Sequence, residues 1–596
     1  MRRSAPDTTQ QERRPMPLTL TNGRVTNWQV RKIAVVGPGI VGMPMAAMLA
    51  HARILEGTDT PARVVVVQRN SPTSGWKVDA INEGRSPIGG IEPDLDRVVA
   101  ESVAAGLLSA SHSYDALADA DVILISTQTD KAGFAPDYGP LFEALTGIAG
   151  ALQRRPAGNV PLVVFESTLA PSSMATVVRE HFEGFGLVEG RDVLLGNSPN
   201  RVMPGRLVER VAASDKIVAG LHPDTPALIQ RLYRRIVTRG TLHPTNSMTA
   251  EVVKTLENAY RDVRIAYAAE IVRYCDAHDI DFYEVRDQVN ARLAQTDAAS
   301  GDPNAVPSGG LLVPTVGVGG HCLPKDGILL WWRRIESGAD TDDSLILNAR
   351  LINDESPAQT LALAERAFGP VNGRTVALLG AAYRFNSEDT RNSPTLPLAR
   401  LLLDRGCRVT IHDPYVYPTD QNLRKFRLQG HFTRDLGEAL REAELVVVCT
   451  GHKVYAEDLA GIRRMAPRLC GLVDGANTWR RSEAQRLGVP YAGVGRGTRV
   501  PTHAFVDFVY EGFRAMERGL ANEVLALVEF LNARYATTDF NRVAFGEVQR
   551  IAGTCVTGCA IADPGEVAAV APFEGFLPRL VASAVRAGGR HARAAV

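Results

Sequence analysis

The chain has 596 residues with 66 basic and 66 acidic side chains, so its formal net charge is zero. Neutrality leaves no electrostatic footprint for DNA, RNA or an anionic membrane surface, and 6% aromatic residues argue further against a stacking nucleic-acid binder. At roughly 100–200 residues per domain the length predicts about three to five domains, and 45% hydrophobic with 22% charged residues is an ordinary globular balance.

The segment MRRSAPDTTQQERRPMP carries arginines but no apolar h-region, so residues 1–29 read as a disordered tail rather than a signal peptide. No stretch approaches the roughly 18 apolar residues of a membrane span. Seven scattered cysteines do not form a disulfide framework. Cys555 and Cys559 are spaced CxxxC without a further ligand set, and no metal site is assigned. The expectation is a reducing, cytoplasmic location.

Ordered structure is expected from Lys32. KIAVVGPGIVGMPMAAMLAHARIL is a β-branched run, a glycine turn and a helical pattern, and strands follow at Arg63–Gln68, Asp121–Thr127, Pro161–Thr168 and from Asp192. Strands alternating with helices predict a parallel sheet with crossover helices over 30–240. From Ser247 to about Asp279, Val252, Val253, Leu256, Tyr260, Val263, Tyr267 and Ile271 recur at helical spacing, with no Gly or Pro to interrupt them. Such a helix bridges domains or forms a dimer interface, and it opens a central region taken as 241–365. The stretch Thr296–Gly320 is a long, Gly- and Pro-rich loop of the kind often used functionally. A second α/β unit, 366–500, has strands at Thr375–Tyr383, Arg408–Pro414, Leu445–Gly451 and Leu472–Asn477. Residues 501–596 form a mainly helical extension with no assigned role.

Three constellations carry chemistry. Gly37-Pro38-Gly39-Ile40-Val41-Gly42 is a GxGxxG between a strand and a helix, where glycines admit a pyrophosphate to a helix N-terminus. The acidic residue that ordinarily ends the second strand and holds the ribose of NAD is replaced by Gln68, followed by Arg69. Gln68 can still bond a ribose, and Arg69 can meet a 2′-phosphate or face solvent, so NAD is expected with NADP as the alternative. Lys254 and Asn258 stand at i and i+4 on one face of the long helix, able to hold an oxyanion and a water. Cys322, in GVGGHCLPKD, follows a glycine-rich turn and precedes Lys325 and Asp326, where an ammonium favours the nucleophilic thiolate.

GPGIVGMP, FEST, SPNRVMPG, LENAYRD, GVGGHCLPKD and LGAAYRFNSEDTRNSP, in that order, resemble the UDP-glucose/GDP-mannose dehydrogenase family of nucleotide-sugar 6-dehydrogenases over about residues 30–497. The resemblance implies an α/β fold of two Rossmann-like doubly wound domains joined by a long central helix, and a homodimer through that helix. It implies oxidation of the C6 alcohol of a UDP-sugar to a uronate with two NAD, through a Cys322 thiohemiacetal and thioester. Lys254 then stabilises the oxyanion, Asn258 and Asp326 position or activate water, and Thr127 helps hold that water. Thr127 and Thr168 join the glycine turn as cofactor residues. Asn200, Arg201, Gly319, Lys325, Tyr383, Arg384 and Arg391 join Lys254 and Asn258 as sugar-nucleotide residues. The family's glutamate in the SPER or NPEF segment is Asn200 here, which cannot act as a base, so Glu166 of FEST becomes the carboxylate candidate. Asp474-Gly475-Ala476-Asn477 lacks the family's arginine. RVMPGR resembles the UDP-N-acetylhexosamine branch, which places UDP-N-acetylmannosamine or UDP-N-acetylglucosamine first and UDP-glucose next. A sugar-nucleotide binder with impaired hydrolysis, and a single-hydride hydroxyacid-type dehydrogenase, are the other readings.

Overall fold

The computed structural model describes residues 18–21, 23–72, 74–89, 92–155, 160–202, 204–296, 310–555 and 570–594. They divide into two compact units, Met1–Gln128 with Gly139–Ser167 and Ser173–Ala250, and Thr129–Tyr138 with Thr168–Ser172 and Glu251–Val596. Residues 1–17 of the expected tail, 297–309 of the long loop, and Cys559 of the CxxxC pair lie outside the described residues.

The first unit is built on eight strands: β1 (Lys32–Val36), β2 (Arg63–Val67), β3 (Leu108–Ser111), β4 (Val122–Ile125), β5 (Leu162–Phe165), β6 (Leu194–Asn197), β7 (Lys216–Gly220) and β8 (Leu242–Asn246). Their order is β8-β7-β6-β5-β4-β1-β2-β3. All neighbours are parallel except β6 and β7, which pair antiparallel at Gly196↔Gly220 and Asn197↔Ala219. Strands such as VILI and LVVF are buried at every residue, as a sheet covered on both faces requires. The chain leaves β1 toward β2 and β3 and returns on the other side at β4. This switch point is where such sheets open a ligand crevice, and helix α1 (Gly42–His51) starts there.

Two sequence expectations need correction here. Order begins before Lys32: Leu18–Thr21 and Arg24–Trp28 form an antiparallel hairpin. Leu18 and Trp28 are buried in the first unit's core, and the Arg231 guanidinium lies 4.8 Å from the Trp28 ring centroid. The apolar ends of this short segment anchor it where its composition reads as tail. Strands β3, β7 and β8 escaped the sequence reading because LSAS, KIVAG and LHPTN are short or carry polar and proline residues. Pairing with neighbours, rather than intrinsic preference, makes them strands.

In the second unit a six-stranded parallel sheet comprises β9 (Thr375–Leu379), β10 (Arg408–His412), β11 (Phe432–Thr433), β12 (Leu445–Val448), β13 (Gly471–Asp474) and β14 (Tyr491–Gly493), in the order β11-β10-β9-β12-β13-β14. Helix α2 (Ser247–Ala277) realises the long apolar periodicity. It is followed by α3 (Leu323–Glu336), α4 (Leu345–Asp354), α5 (His503–Tyr535) and α6 (Arg579–Ala594). From Glu251 onward, Arg261 and the terminal Ala277 are the exposed residues of α2.

Polar anchors fix what packs on α2. Asp262 accepts from Arg350 Nη1 and Asn353 Nδ2 of α4, each at 2.8 Å, and both members of the Asp262–Arg350 pair have 4% exposed side chains. Burial raises the Asp262 carboxyl to about 6, against the pull of Arg350. Removing one partner of a buried pair leaves the other uncompensated. Asp262→Ala is therefore expected to destabilise the second unit by roughly 3 kcal/mol, read as a lower urea midpoint, whereas Asp262→Asn, which keeps the hydrogen bonds, is expected to lose less. A midpoint unchanged in the alanine variant would contradict this account.

Candidate active site

The first unit supplies a dinucleotide site. Gly37 has φ +93°, and its amide donates to Val67 O at 3.0 Å, tying the turn to the end of β2. A Cβ on Gly42 would lie 2.1 Å from Gly37 O, so only glycine lets α1 start so close beneath the turn. A Cβ on Gly39 would meet nothing within 4 Å, so that position faces open space at the start of the helix. Ile40 and Val41 pack against the core, and Val41 occupies the position before the first helical residue. Beside Gly37 lie Ser126 and Thr127, whose buried hydroxyls have no hydrogen-bond partner among the described residues. An open cradle of free helix amides flanked by unsatisfied hydroxyls fits a dinucleotide.

Gln68 Nε2 donates to Ser74 Oγ at 2.9 Å. Arg69 is ion-paired with Glu143, both more than half exposed, so this cation already has an anionic partner and is not held free for a 2′-phosphate.

The Glu166 expectation is corrected. Glu166 is 2% exposed, and its carboxylate accepts from Lys216 Nζ at 2.7 Å, from the Asn200 amide and from the Tyr233 hydroxyl. With both oxygens committed in a dry cluster, it acts as the counter-ion of buried Lys216 rather than as a free base. Asn200 is therefore turned toward Glu166, and Arg201 donates to Asp215 O at 2.6 Å. Thr168 lies in the second unit, its carbonyl accepting from Thr129 Oγ1 at 2.7 Å.

The second unit gathers the cysteine constellation. Cys322 stands at the N-cap position of α3, and Lys325 N and Asp326 N both donate to its carbonyl, at 3.1 and 2.9 Å. The turn before it is glycine because Tyr383 lies against it: a Cβ on Gly319 would come 2.3 Å from Tyr383 Cβ, and one on Gly320 3.0 Å from Tyr383 Cζ. Gly320 N donates to Arg391 O at 2.8 Å, and Asn392 Nδ2 donates to Gly320 O at 2.9 Å. Arg391 is held in turn by a two-pronged pair with Asp389, at 2.9 and 2.6 Å.

Asp326 is fully buried between two donors, Lys325 Nζ at 2.6 Å and Asn258 Nδ2 at 2.5 Å. Because the carboxylate takes the amide nitrogen of Asn258, the Asn258 oxygen is the atom left to accept from a water or substrate. Lys325, 2% exposed, is committed to Asp326 rather than presented as a free substrate cation. Lys254 is buried, has no hydrogen bond or ion pair among the described residues, and lies near enough to Cys322 to favour its thiolate.

Cys322 is exposed by area, yet desolvation by the surrounding wall, followed by the Asp326 charge, pushes its thiol above the ordinary value. Lys254, Lys325 and Arg391 pull the other way without reversing it. The neighbouring His321 is lowered to about 4, first by burial and then by Lys325 and Arg391, so it is neutral near pH 7.

Arg261 was missed by the sequence reading although it follows Lys254 and Asn258 at i+7 and i+3 on one helix face. Desolvation first, then the like charges of Arg264 and Arg384, lower its guanidinium. Neither Arg261 nor Arg384 has an anionic partner among the described residues; Arg384 lies 5.8 Å from the Phe385 ring centroid, and Arg264 donates to Gly310 O. Unpaired like charges gathered together make a place for an anion.

The glycine turn of the second sheet is different in kind. Asp413 accepts from Ala381 N and Ala382 N at 2.8 and 3.0 Å, from Tyr415 N and Val416 N, and from His452 Nε2 at 3.0 Å. An internal carboxylate thus fills the amide nest that a pyrophosphate occupies in a dinucleotide turn.

The chain matches the NAD binding domain of the UDP-glucose/GDP-mannose dehydrogenase family over residues 31–237, its central domain over 248–355 and its UDP binding domain over 377–481. The UDP-N-acetyl-D-mannosamine dehydrogenase of Pyrococcus horikoshii is 31% identical over 471 residues, 78% of this chain and 99% of that protein. The NDP-N-acetyl-D-galactosaminuronic acid dehydrogenase of Ralstonia solanacearum is 30% identical, over 71% of this chain and 92% of that protein. The crystal structure of NDP-N-acetyl-D-galactosaminuronic acid dehydrogenase from Methanosarcina mazei Go1 superposes with a TM-score of 0.64 at 32% identity, covering 79% of this chain and 96% of that one. NAD is accordingly the cofactor of the first unit's glycine turn. No helix among the described residues is long and apolar enough to cross a membrane.

The raised Cys322 thiol sets a pH dependence. Alkylation of Cys322 by iodoacetamide in the free protein, followed by peptide mass, is expected to climb about tenfold per pH unit and to go on rising past the ordinary thiol range near 8.5. A plateau near pH 7 would mean that the nearby cations outweigh the desolvation.

Proposed function

The chain belongs to the UDP-glucose/GDP-mannose dehydrogenase family and is an NAD-dependent nucleotide-sugar dehydrogenase, and we propose that it oxidises the C6 alcohol of a UDP-N-acetylhexosamine to the uronate, with UDP-N-acetyl-D-mannosamine the first substrate to test. The observation that carries this reading is the set around Cys322: a Lys254 without an ion pair among the described residues, an Asn258 oxygen aimed by buried Asp326, and the guanidiniums of Arg261 and Arg384, likewise without an anionic partner among them. The names of the relatives and the RVMPGR segment support the N-acetylated sugar over UDP-glucose.

NAD held at the Gly37–Gly42 turn, with the Ser126 and Thr127 hydroxyls beside it, would supply the hydride acceptor for each of the two oxidations. The chain's residues do the rest. Arg261 and Arg384 offer their charge to the diphosphate, and Arg391 fixes the turn that carries Cys322. Lys254 stabilises the oxygen at C6 as it gains negative charge. The Cys322 sulfur adds to the C6 aldehyde, forming a C–S bond, and the resulting thiohemiacetal loses a hydride and a proton to become a thioester. The Asn258 oxygen holds the water that attacks this thioester; the C–S bond then breaks, releasing carboxylate and thiol. Asp326 works through Asn258 and is a positioning residue. Thr127 contributes its hydroxyl beside the glycine turn.

Replacement of the family glutamate by Asn200 favours one second reading, a binder whose thioester hydrolysis is impaired. Counting NADH separates the two: two equivalents per UDP-sugar over many turnovers support the full oxidation, and a burst of no more than two per enzyme that then stops, with sugar still bound, supports the binder. Cys322→Ala is expected to abolish uronate formation while sugar binding persists, and uronate formation at the normal rate would end the covalent mechanism. Lys254→Ala is expected to slow turnover by roughly 10²–10³-fold, as for one lost oxyanion donor, and an unchanged rate would remove it from the chemistry.

A further inference from the structure

NAD and NADP differ by one phosphate, on the adenosine ribose. In a sheet of this kind the end of the second strand meets that ribose: an acceptor there takes the 2′-hydroxyl, and a nearby arginine accommodates a 2′-phosphate. Here the strand end is tied to the dinucleotide turn itself, because Gly37 N donates to Val67 O at 3.0 Å, and Gln68 is the next residue. The Gln68 backbone is fixed on both sides. Its N–H donates to Ser111 O at 3.1 Å, and its carbonyl lies 3.0 Å from His112 Nδ1.

The surroundings of the Gln68 amide set its orientation. Nε2 lies 2.9 Å from Ser74 Oγ and 3.3 Å from Arg69 O. A backbone carbonyl only accepts, so the amide turns its nitrogen to that side, and Oε1 is the atom left with no partner among the described residues. Ser74 is held in turn by Ser71: the two hydroxyl oxygens lie 2.6 Å apart, and Ser74 N donates to Ser71 Oγ at 3.2 Å. A neutral glutamine thus presents only an acceptor, as a carboxylate would.

Such an atom receives a ribose hydroxyl and repels a phosphate, whose oxygens also accept. The cation that could offset this repulsion is Arg69, and Glu143 of the helix Gly139–Leu152 pairs with it. Both side chains are 59% exposed, so the pair adds little stability. Its consequence is electrostatic: the Glu143 charge cancels the one that a 2′-phosphate needs.

We propose that Ser74, acting through Gln68, and Glu143, acting through Arg69, make this chain select NAD against NADP. Ser74 is a positioning residue that aims the amide oxygen, and Glu143 neutralises the neighbouring guanidinium. Selection of this kind is independent of which sugar is oxidised.

Calorimetric titration of the full chain with NADH and with NADPH, without sugar, reads it as the ratio of the two dissociation constants. The unmodified chain is expected to bind NADH more tightly. Ser74→Ala is expected to reduce that preference roughly three- to tenfold, the worth of one ordinary hydrogen bond, because a released amide can turn its nitrogen to a phosphate. Ser74→Thr, which keeps the hydroxyl, is expected to retain it. Glu143→Gln is expected to tighten NADPH about tenfold, as one charge-assisted hydrogen bond from Arg69 does, with a smaller change for NADH. Equal affinity for the two in the unmodified chain would overturn the inference, and so would an unchanged ratio in Ser74→Ala or Glu143→Gln. Loss of both cofactors together in Ser74→Ala would overturn it too, because the serine would then hold the loop without reading the ribose.

Discussion

The second unit depends on the burial of one helix. Helix α2 carries apolar residues on every face, and water must be kept from all of them. Each neighbour is held to it by a polar anchor that tolerates little displacement: Asp262 on α4, Glu270 on α6, and Tyr260 and Tyr267 on α5. That rigidity reaches the chemistry, because Lys254 and Asn258 project from the same helix. Asn258 then meets Asp326 on α3, and the carboxylate that locks the two helices together also orients the amide.

Two glycine turns of similar appearance have opposite fates. Around Gly37 the start of α1 is open, and the Ser126 and Thr127 hydroxyls have no hydrogen-bond partner among the described residues. At the second turn, Asp413, itself held by His452, satisfies the Ala381 and Ala382 amides from within. Free donors invite an anion, whereas satisfied donors hold a loop. A repeated strand–turn–helix unit thus supplies a cofactor site once and a rigid scaffold the second time. The cations of the second unit without an anionic partner among the described residues are instead Arg261 and Arg384.

Much of this was legible in the chain. The GxGxxG after a β-branched run, the apolar periodicity of α2 and the cysteine between a glycine turn and Lys-Asp each depend on residues close in sequence, and local spacing reports local geometry. Arg261 was within reach of the same logic, one helical step beyond Asn258. Glu166 was not. Its sequence neighbourhood looks catalytic, and only the meeting with Lys216, Asn200 and Tyr233 turns it into a buried counter-ion. The hairpin at 18–28 and strands β3, β7 and β8 were hidden for a related reason, since partners distant in sequence make them what they are.

The sequence by itself determined the α/β class, the dinucleotide turn, the long helix and the cysteine motif, because helix and strand periods and the steric freedom of glycine act over a few residues. Tertiary structure alone decided which charges are spent and which are free. Among the described residues, Lys325 is paired and Lys254 is not, Arg69 is paired and Arg384 is not, and the C-terminal helix α5 is bonded to Tyr260 and Tyr267 of α2. Hydrogen bonds and ion pairs join groups by distance in space, and sequence order does not set that distance.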